Sequence, residues 1–86
     1  MNPVTESQNY KNITSTTTVY TGTGGMLGIF VASTTGGTLS VTDGVSTMIG
    51  TFTPVAGTFY PLPGRFNTSL TVTVGGTLNA TVFWAN

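Results

Sequence analysis

From Ile13 onward the chain repeats one local pattern: a short run of β-branched and aromatic residues, then a break rich in glycine or proline. The runs are Ile13–Tyr20, Met26–Ser33, Leu39–Thr42, Val45–Thr53, Thr58–Leu62, Phe66–Val74 and Leu78–Trp84. Short strands punctuated at this spacing are the signature of a sandwich or barrel. Composition agrees, because Thr, Val and Ile fill 32 of the 86 positions whereas Ala, Leu, Glu, Lys, Gln and Arg together fill only 13. Side chains branched at Cβ fit a pleated sheet and lose rotamer freedom in a helix. The expected fold is all-β: a compact antiparallel β-sandwich or jelly-roll-like domain of about seven strands over residues 13–86. Residues 1–12 hold two of the four charges and show no alternation, which predicts a flexible N-terminal arm.

The side-chain period of two sets the expected faces. Leu70, Val72 and Val74 share a side with Phe66, and Leu78, Ala80, Val82 and Trp84 share another. A three-residue loop at Gly75-Gly76-Thr77 brings these two sets onto one core face. A second heptapeptide, Gly36 to Thr42, matches Gly75 to Thr81 at five of seven positions. The same loop there sets Leu27, Ile29 and Val31 beside Leu39 and Val41. Asp43-Gly44 is a two-residue hairpin signal that pairs Leu39 with Met48 and brings Met48 and Phe52 to the core. Leu62-Pro63-Gly64-Arg65 has the order of a type II turn, and Pro61 and Pro63 make Thr58–Leu62 an edge strand or loop.

Four apolar residues do not fit a single core. Met26, Phe30, Ile49 and Phe83 fall on the side opposite their strands' core faces, so Met26–Ala32 is apolar on both sides. Strands apolar on both faces are covered on both, and these four are the candidate self-interface. An oligomer is also expected on energetic grounds. A domain this small buries only about 60–65% of its unfolded surface, and the usual remedies are disulfides, metals or association. The chain has no Cys and no His, and its net charge is zero.

The same absences limit the chemistry. There is no His or Cys for a zinc site, a thiol nucleophile or a His-based triad, and no cofactor or metal is expected. Glu6 and Asp43 are the only acidic residues; one lies in the arm and the other where a hairpin favours Asp. Gly22-Thr23-Gly24-Gly25 lacks the Lys of a phosphate loop. Four cancelling charges do not suit nucleic acid, and no run approaches the ~20 apolar residues of a membrane helix. The N-terminus lacks the regions of a signal peptide, as expected of a chain made in a cytoplasm and left there or carried out within a larger particle. Thr-x-Thr pairs at 16/18, 21/23, 51/53 and 71/73 follow no fixed coil repeat, and threonine is simply the polar residue that suits an outer sheet face. An aromatic sugar platform is the remaining binding alternative. Phe59, Tyr60 and Arg65 are its candidates, since Phe66 and Trp84 belong to the core face.

Gly25-Met26-Leu27-Gly28-Ile29-Phe30-Val31 and Gly37-Thr38-Leu39-Ser40-Val41-Thr42-Asp43-Gly44 resemble small Thr/Gly-rich β proteins of tailed-bacteriophage virions, most of all the capsid decoration, or cement, proteins. The resemblance implies a non-enzymatic protein of the outer head surface, often trimeric, that clamps neighbouring copies of the major capsid protein. It implies no catalytic residues. On this reading Glu6, Tyr10 and Lys11 belong to a capsid-binding arm. Head-fibre and tail-associated attachment proteins share the same style.

Overall fold

A computed structural model describes residues 8–85. Seven strands form one antiparallel sheet: β1 (Gln8–Ile13), β2 (Thr17–Thr21), β3 (Gly24–Asp43), β4 (Ser46–Phe52), β5 (Thr58–Tyr60), β6 (Gly64–Phe66) and β7 (Ser69–Ala85). The described residues contain no helix. The all-β expectation holds.

Two strands set the architecture. β3 has 20 residues and β7 has 17, well beyond the usual five or six. They pair with each other almost end to end, from Gly25 opposite Ala85 to Asp43 opposite Leu70. A straight strand of 20 residues would run about 66 Å, whereas the longest dimension of the molecule is 39 Å. The central ribbon must therefore fold back on itself, and the edge strands record where. β1 and β2 lie along β7, and β4, β5 and β6 lie along β3; each edge is interrupted where the ribbon bends. One layer holds β1, the C-terminal half of β7, the N-terminal half of β3, β5 and β6. The other holds β2, the N-terminal half of β7, the C-terminal half of β3, and β4.

Two short crossovers hold the layers back to back. Thr21 ends β2 in the second layer and Gly24 opens β3 in the first; Phe66 ends β6 in the first and Ser69 opens β7 in the second. Each crossing has two intervening residues and spans about 10–11 Å at most, close to the ~10 Å between packed sheets. Gly22 N–H donates to the Thr68 carbonyl at 2.9 Å, tying one crossover to the other. Side chains meet across the gap: Tyr20 packs on Phe66 and Trp84, and Phe52 packs edge-on against Tyr60. The core between the layers is Ile13, Met26, Ile29, Val31, Leu39, Val41, Phe66, Leu70, Val72, Leu78, Ala80, Val82 and Trp84.

The bend falls on the repeated heptapeptides, and here the expected hairpins do not form. Gly36-Gly37 and Gly75-Gly76 lie beside each other within continuous strands, flanked by the Thr35–Thr77 and Thr38–Gly75 pairs. The motif occurs twice because both central strands must turn the same corner. Gly36 and Gly76 have φ of 64° and 70°, a region that costs an L-residue roughly 1–2 kcal/mol. A Cβ on Gly76 would lie 2.6 Å from the Gly36 carbonyl oxygen, so the two backbones touch at the corner.

Other departures follow from bulges. Between Met26 and Gly28, Val31 and Ser33, and Thr35 and Thr38, β3 carries one residue more than β7 opposite it. The first bulge inserts Leu27, which turns outward while Met26 turns into the core. At the β3–β4 turn the loop is Gly44-Val45, with Asp43 opposite Ser46, one residue later than expected. Gly44 has φ of 60° and Val45 is not at positive φ, the arrangement of a type II′ turn. Two further shifts set Leu39 opposite Phe52 and Val41 opposite Ile49. Gly64 is not at positive φ, so the expected type II turn is absent; Gly64 instead opens β6. The edge reading of 58–62 holds, as β5 pairs with β3 alone before Pro61 and Pro63 interrupt the ladder.

Candidate functional surface

Strand alternation gives each layer an outward face, and the two faces differ in chemistry. In the first layer, Val82 and Trp84 point inward and Phe83 between them points outward. Tyr10 is opposite Phe83 on β1 and Gly28 is opposite it on β3. Phe59 lies over Gly28, where an added Cβ would meet its ring at 2.5 Å. The Phe59 and Phe83 rings pack edge to face, with centroids 6.1 Å apart. Phe30 is opposite Phe59 on one side and Thr81 on the other, and Leu27 shares the bulge with Gly28. The result is an aromatic stripe crossing β1, β7, β3 and β5. Tyr10 is 74% exposed, Phe59 47% and Phe30 38%. Gly28, having no Cβ, leaves the space that the tip of the Phe59 ring fills.

Polar groups rim this stripe. The Asn12 amide nitrogen donates to Asn79 Oδ1 at 2.8 Å, the Ala80 carbonyl at 3.1 Å and Thr81 Oγ1 at 3.2 Å, which fastens β1 to β7. Arg65 lies on β6 between Gly64, which faces Met48, and buried Phe66, so its side chain points outward. Its Nε donates to Asn67 Oδ1 at 3.3 Å.

The outward face of the second layer is hydroxylic. Thr18, Thr71, Thr42 and Thr47 stand opposite one another in succession across β2, β7, β3 and β4. The Thr18 and Thr71 hydroxyls are 3.1 Å apart. Ser40 opposite Thr73 begins a parallel rank.

Asp43 ends β3 at the junction between the layers. Its carboxylate accepts hydrogen bonds from the backbone N–H groups of Asn67 (2.9 Å), Thr68 (2.8 Å) and Ser69 (3.2 Å). The Asn67 and Thr68 bonds above all, with help from Ser69 and against a smaller effect of burial, hold its pKa below the ordinary carboxylate value. Asp43 flanks the hairpin turn as the last residue of β3 rather than sitting in its loop, and its side chain braces the crossover into β7.

The structure redistributes the candidate residues. From the self-interface set, Phe30 and Phe83 lie on the aromatic face. Met26 does not: it is 1% exposed, because the Leu27 bulge reverses the alternation. Ile49 also leaves the set, since it faces Val41 in the other layer and packs half-buried against the core. From the arm, Tyr10 and Lys11 belong to β1 and are paired with Phe83 and Val82, which moves the boundary of any arm to before residue 8. Glu6 lies outside the described residues. From the sugar platform, Phe59 and Arg65 point outward, whereas Tyr60 packs against the core and its hydroxyl accepts the Val55 N–H at 2.8 Å. Residues named for three different reasons thus converge on one face: Phe30 and Phe83, Tyr10, and Phe59 with Arg65. Leu27, expected on the core face beside Ile29 and Val31, joins this face instead, because the bulge turns it outward. No group of three His, Cys, Asp or Glu side chains able to hold a metal occurs among the described residues. Comparison with family models, with curated proteins and with solved structures returns no match.

Proposed function

We propose that this chain is a non-enzymatic structural protein of a bacteriophage virion: a capsid decoration protein that binds the outer head and stabilises it through neighbouring major capsid subunits. The reading begins from the resemblance of the 25–31 and 37–44 segments. The observation that carries it furthest is the aromatic outer face on a domain whose sequence has only four charged residues. Patches of this kind mark association surfaces, and the copies of a decoration protein act together on a symmetric lattice where many contacts reinforce one another. A homo-oligomer, with a trimer favoured, suits this role. Contact with the shell falls to the segment before Gln8, which includes Glu6, and to the open edge of β1 with Lys11.

The test is to add the purified protein to undecorated phage shells and measure the number of copies bound per shell. Saturable binding is expected, and deleting residues 1–7 should lower occupancy while leaving the β circular-dichroism spectrum unchanged. Shells that bind no protein would overturn the reading. Arg65 beside exposed Phe59 keeps one alternative in play, a carbohydrate-binding attachment module. Glycan binding lost in Phe59→Ala and Arg65→Ala would favour it.

A further inference from the structure

We propose that the open edge of β1 is a strand-addition site, and that its occupant is an extended acidic segment of the shell protein, with a carboxylate opposite Lys11. This rests on the decoration reading above and names how that contact is made.

The edge itself is the first observation. Among the described residues β1 pairs with β7 alone. Alternate residues of β1 therefore turn their N–H and C=O groups to the open side, where another extended backbone matches them one after the next. The other outer strands are blunted. β2 carries a bulge between Thr18 and Tyr20, and β4 has two register shifts against β3. β5 and β6 have three residues each, with Pro61 and Pro63 between them. β1 keeps six residues in unbroken register, from Gln8 opposite Ala85 to Ile13 opposite Ala80. Asn12 leaves the edge clear, because its amide is turned onto β7 by its bonds to Asn79, Ala80 and Thr81.

The second observation is charge. Tyr10 is outward, so Lys11 lies on the inner side of the pleat with Asn9 and Ile13, and it is exposed there. An inward charge on an edge strand guards against indiscriminate pairing. Among the described residues no carboxylate pairs with Lys11: Asp43, the one acid there, is taken up by the N–H groups of residues 67–69. A second β1 laid antiparallel with its faces aligned would set the two Lys11 residues opposite or diagonal to each other, where like charges oppose pairing. A partner strand with Asp or Glu at that inner position gains a cross-strand ion pair instead. Backbone bonds then supply affinity, and the side chain opposite Lys11 supplies the choice of strand.

Binding to undecorated phage shells tests this, read by copies bound over a protein titration and by amide hydrogen exchange. Wild type should saturate, and residues 8–13 should gain protection on the shell while β2 and β4 keep their free-state exchange. Lys11→Glu, which sets like charges across the added pair, should weaken binding roughly tenfold or more. Lys11→Gln should weaken it less, and Thr47→Glu on the other layer should bind as wild type does. If Lys11→Glu fails to fold, the exchange of wild type decides alone. Shells that Lys11→Glu decorates as fully as wild type at every concentration overturn the inference, as do decorated shells that leave residues 8–13 unprotected. Either result sinks the edge contact and leaves the decoration role standing. Shells that bind no wild-type protein overturn the decoration role and this inference with it.

Discussion

The two outward faces of this sandwich are made by the same two strands. β3 and β7 run through both layers, yet their outward residues are Leu27, Phe30, Thr81 and Phe83 in one and Ser40, Thr42, Thr71 and Thr73 in the other. Both halves bury the same kind of inward residue, such as Ile29 and Val82 in the first and Val41 and Val72 in the second. The inward pattern is required by the fold and the outward pattern is not. Threonine is what an outer sheet face holds when its only tasks are strand propensity and solvation. Aromatic residues in the corresponding positions pack on one another, as Phe83 does on Phe59, yet leave apolar surface exposed, and the difference between the faces is the main reason to assign association to the first.

The largest expected effect tests which side of β3 is which. If the bulge at Leu27 sends Met26 inward and Leu27 outward, then Met26→Ala should cost about 2–5 kcal/mol, as for other buried large-to-small changes. Leu27→Ala should cost under ~1 kcal/mol in a monomer. Chemical denaturation of the two variants measures the difference. Equal losses, or the reverse order, would return Met26 to the outer face.

The next effect breaks the comparison at its origin, the corner that gives the ribbon two faces. Gly36 and Gly76 both have positive φ, but an added Cβ meets nothing within 4 Å at Gly36 and meets the Gly36 carbonyl at 2.6 Å at Gly76. Gly36→Ala should therefore cost only the conformational penalty, about 1–2 kcal/mol. Gly76→Ala adds a backbone clash and should cost about 2–4 kcal/mol. Thermal melts of the pair show whether the corner is as tight as the geometry has it. Similar melting temperatures would mean that the two strands separate there at little cost.

This corner also shows what a sequence can and cannot reveal. Val74 and Leu78 are four residues apart, so they share a face whether residues 75–77 form a hairpin loop or continue one strand. Parity therefore assigned the inward residues of β7 correctly while the topology inferred from it was wrong. Which face a side chain takes is a local property of the strand, but which strand lies beside it is not. The same division explains Met26. Alternation alone put it outside, and one extra residue on β3, visible only against β7, put it inside. The aromatic face was legible in fragments, because Phe30 and Phe83 violated the alternation and Phe59 followed a break. Their convergence with Tyr10 depends on β1 and β5 lying at opposite edges of one layer, a long-range fact that no local pattern carries.

The smallest expected effect concerns the point where the two layers are joined. Asp43 accepts three backbone N–H groups at the crossover from β6 to β7, and these lower its pKa in the folded chain. Its unfolded value is about 3.9. Because the folded value is the lower one, the bracing is fully present above that unfolded value and is lost as pH falls through the folded value. Melting temperature should thus be flat near neutrality and decline below pH ~4. Asp43→Asn should melt lower than wild type at pH 7, since an amide keeps one acceptor oxygen and turns a donor toward N–H groups that need acceptors. The gap between the two proteins should close in acid, where protonated Asp43 has also become a partial donor. A constant gap from pH 7 down to pH 2 would mean that the carboxylate charge does not brace the crossover and that the two faces are held back to back by the core alone.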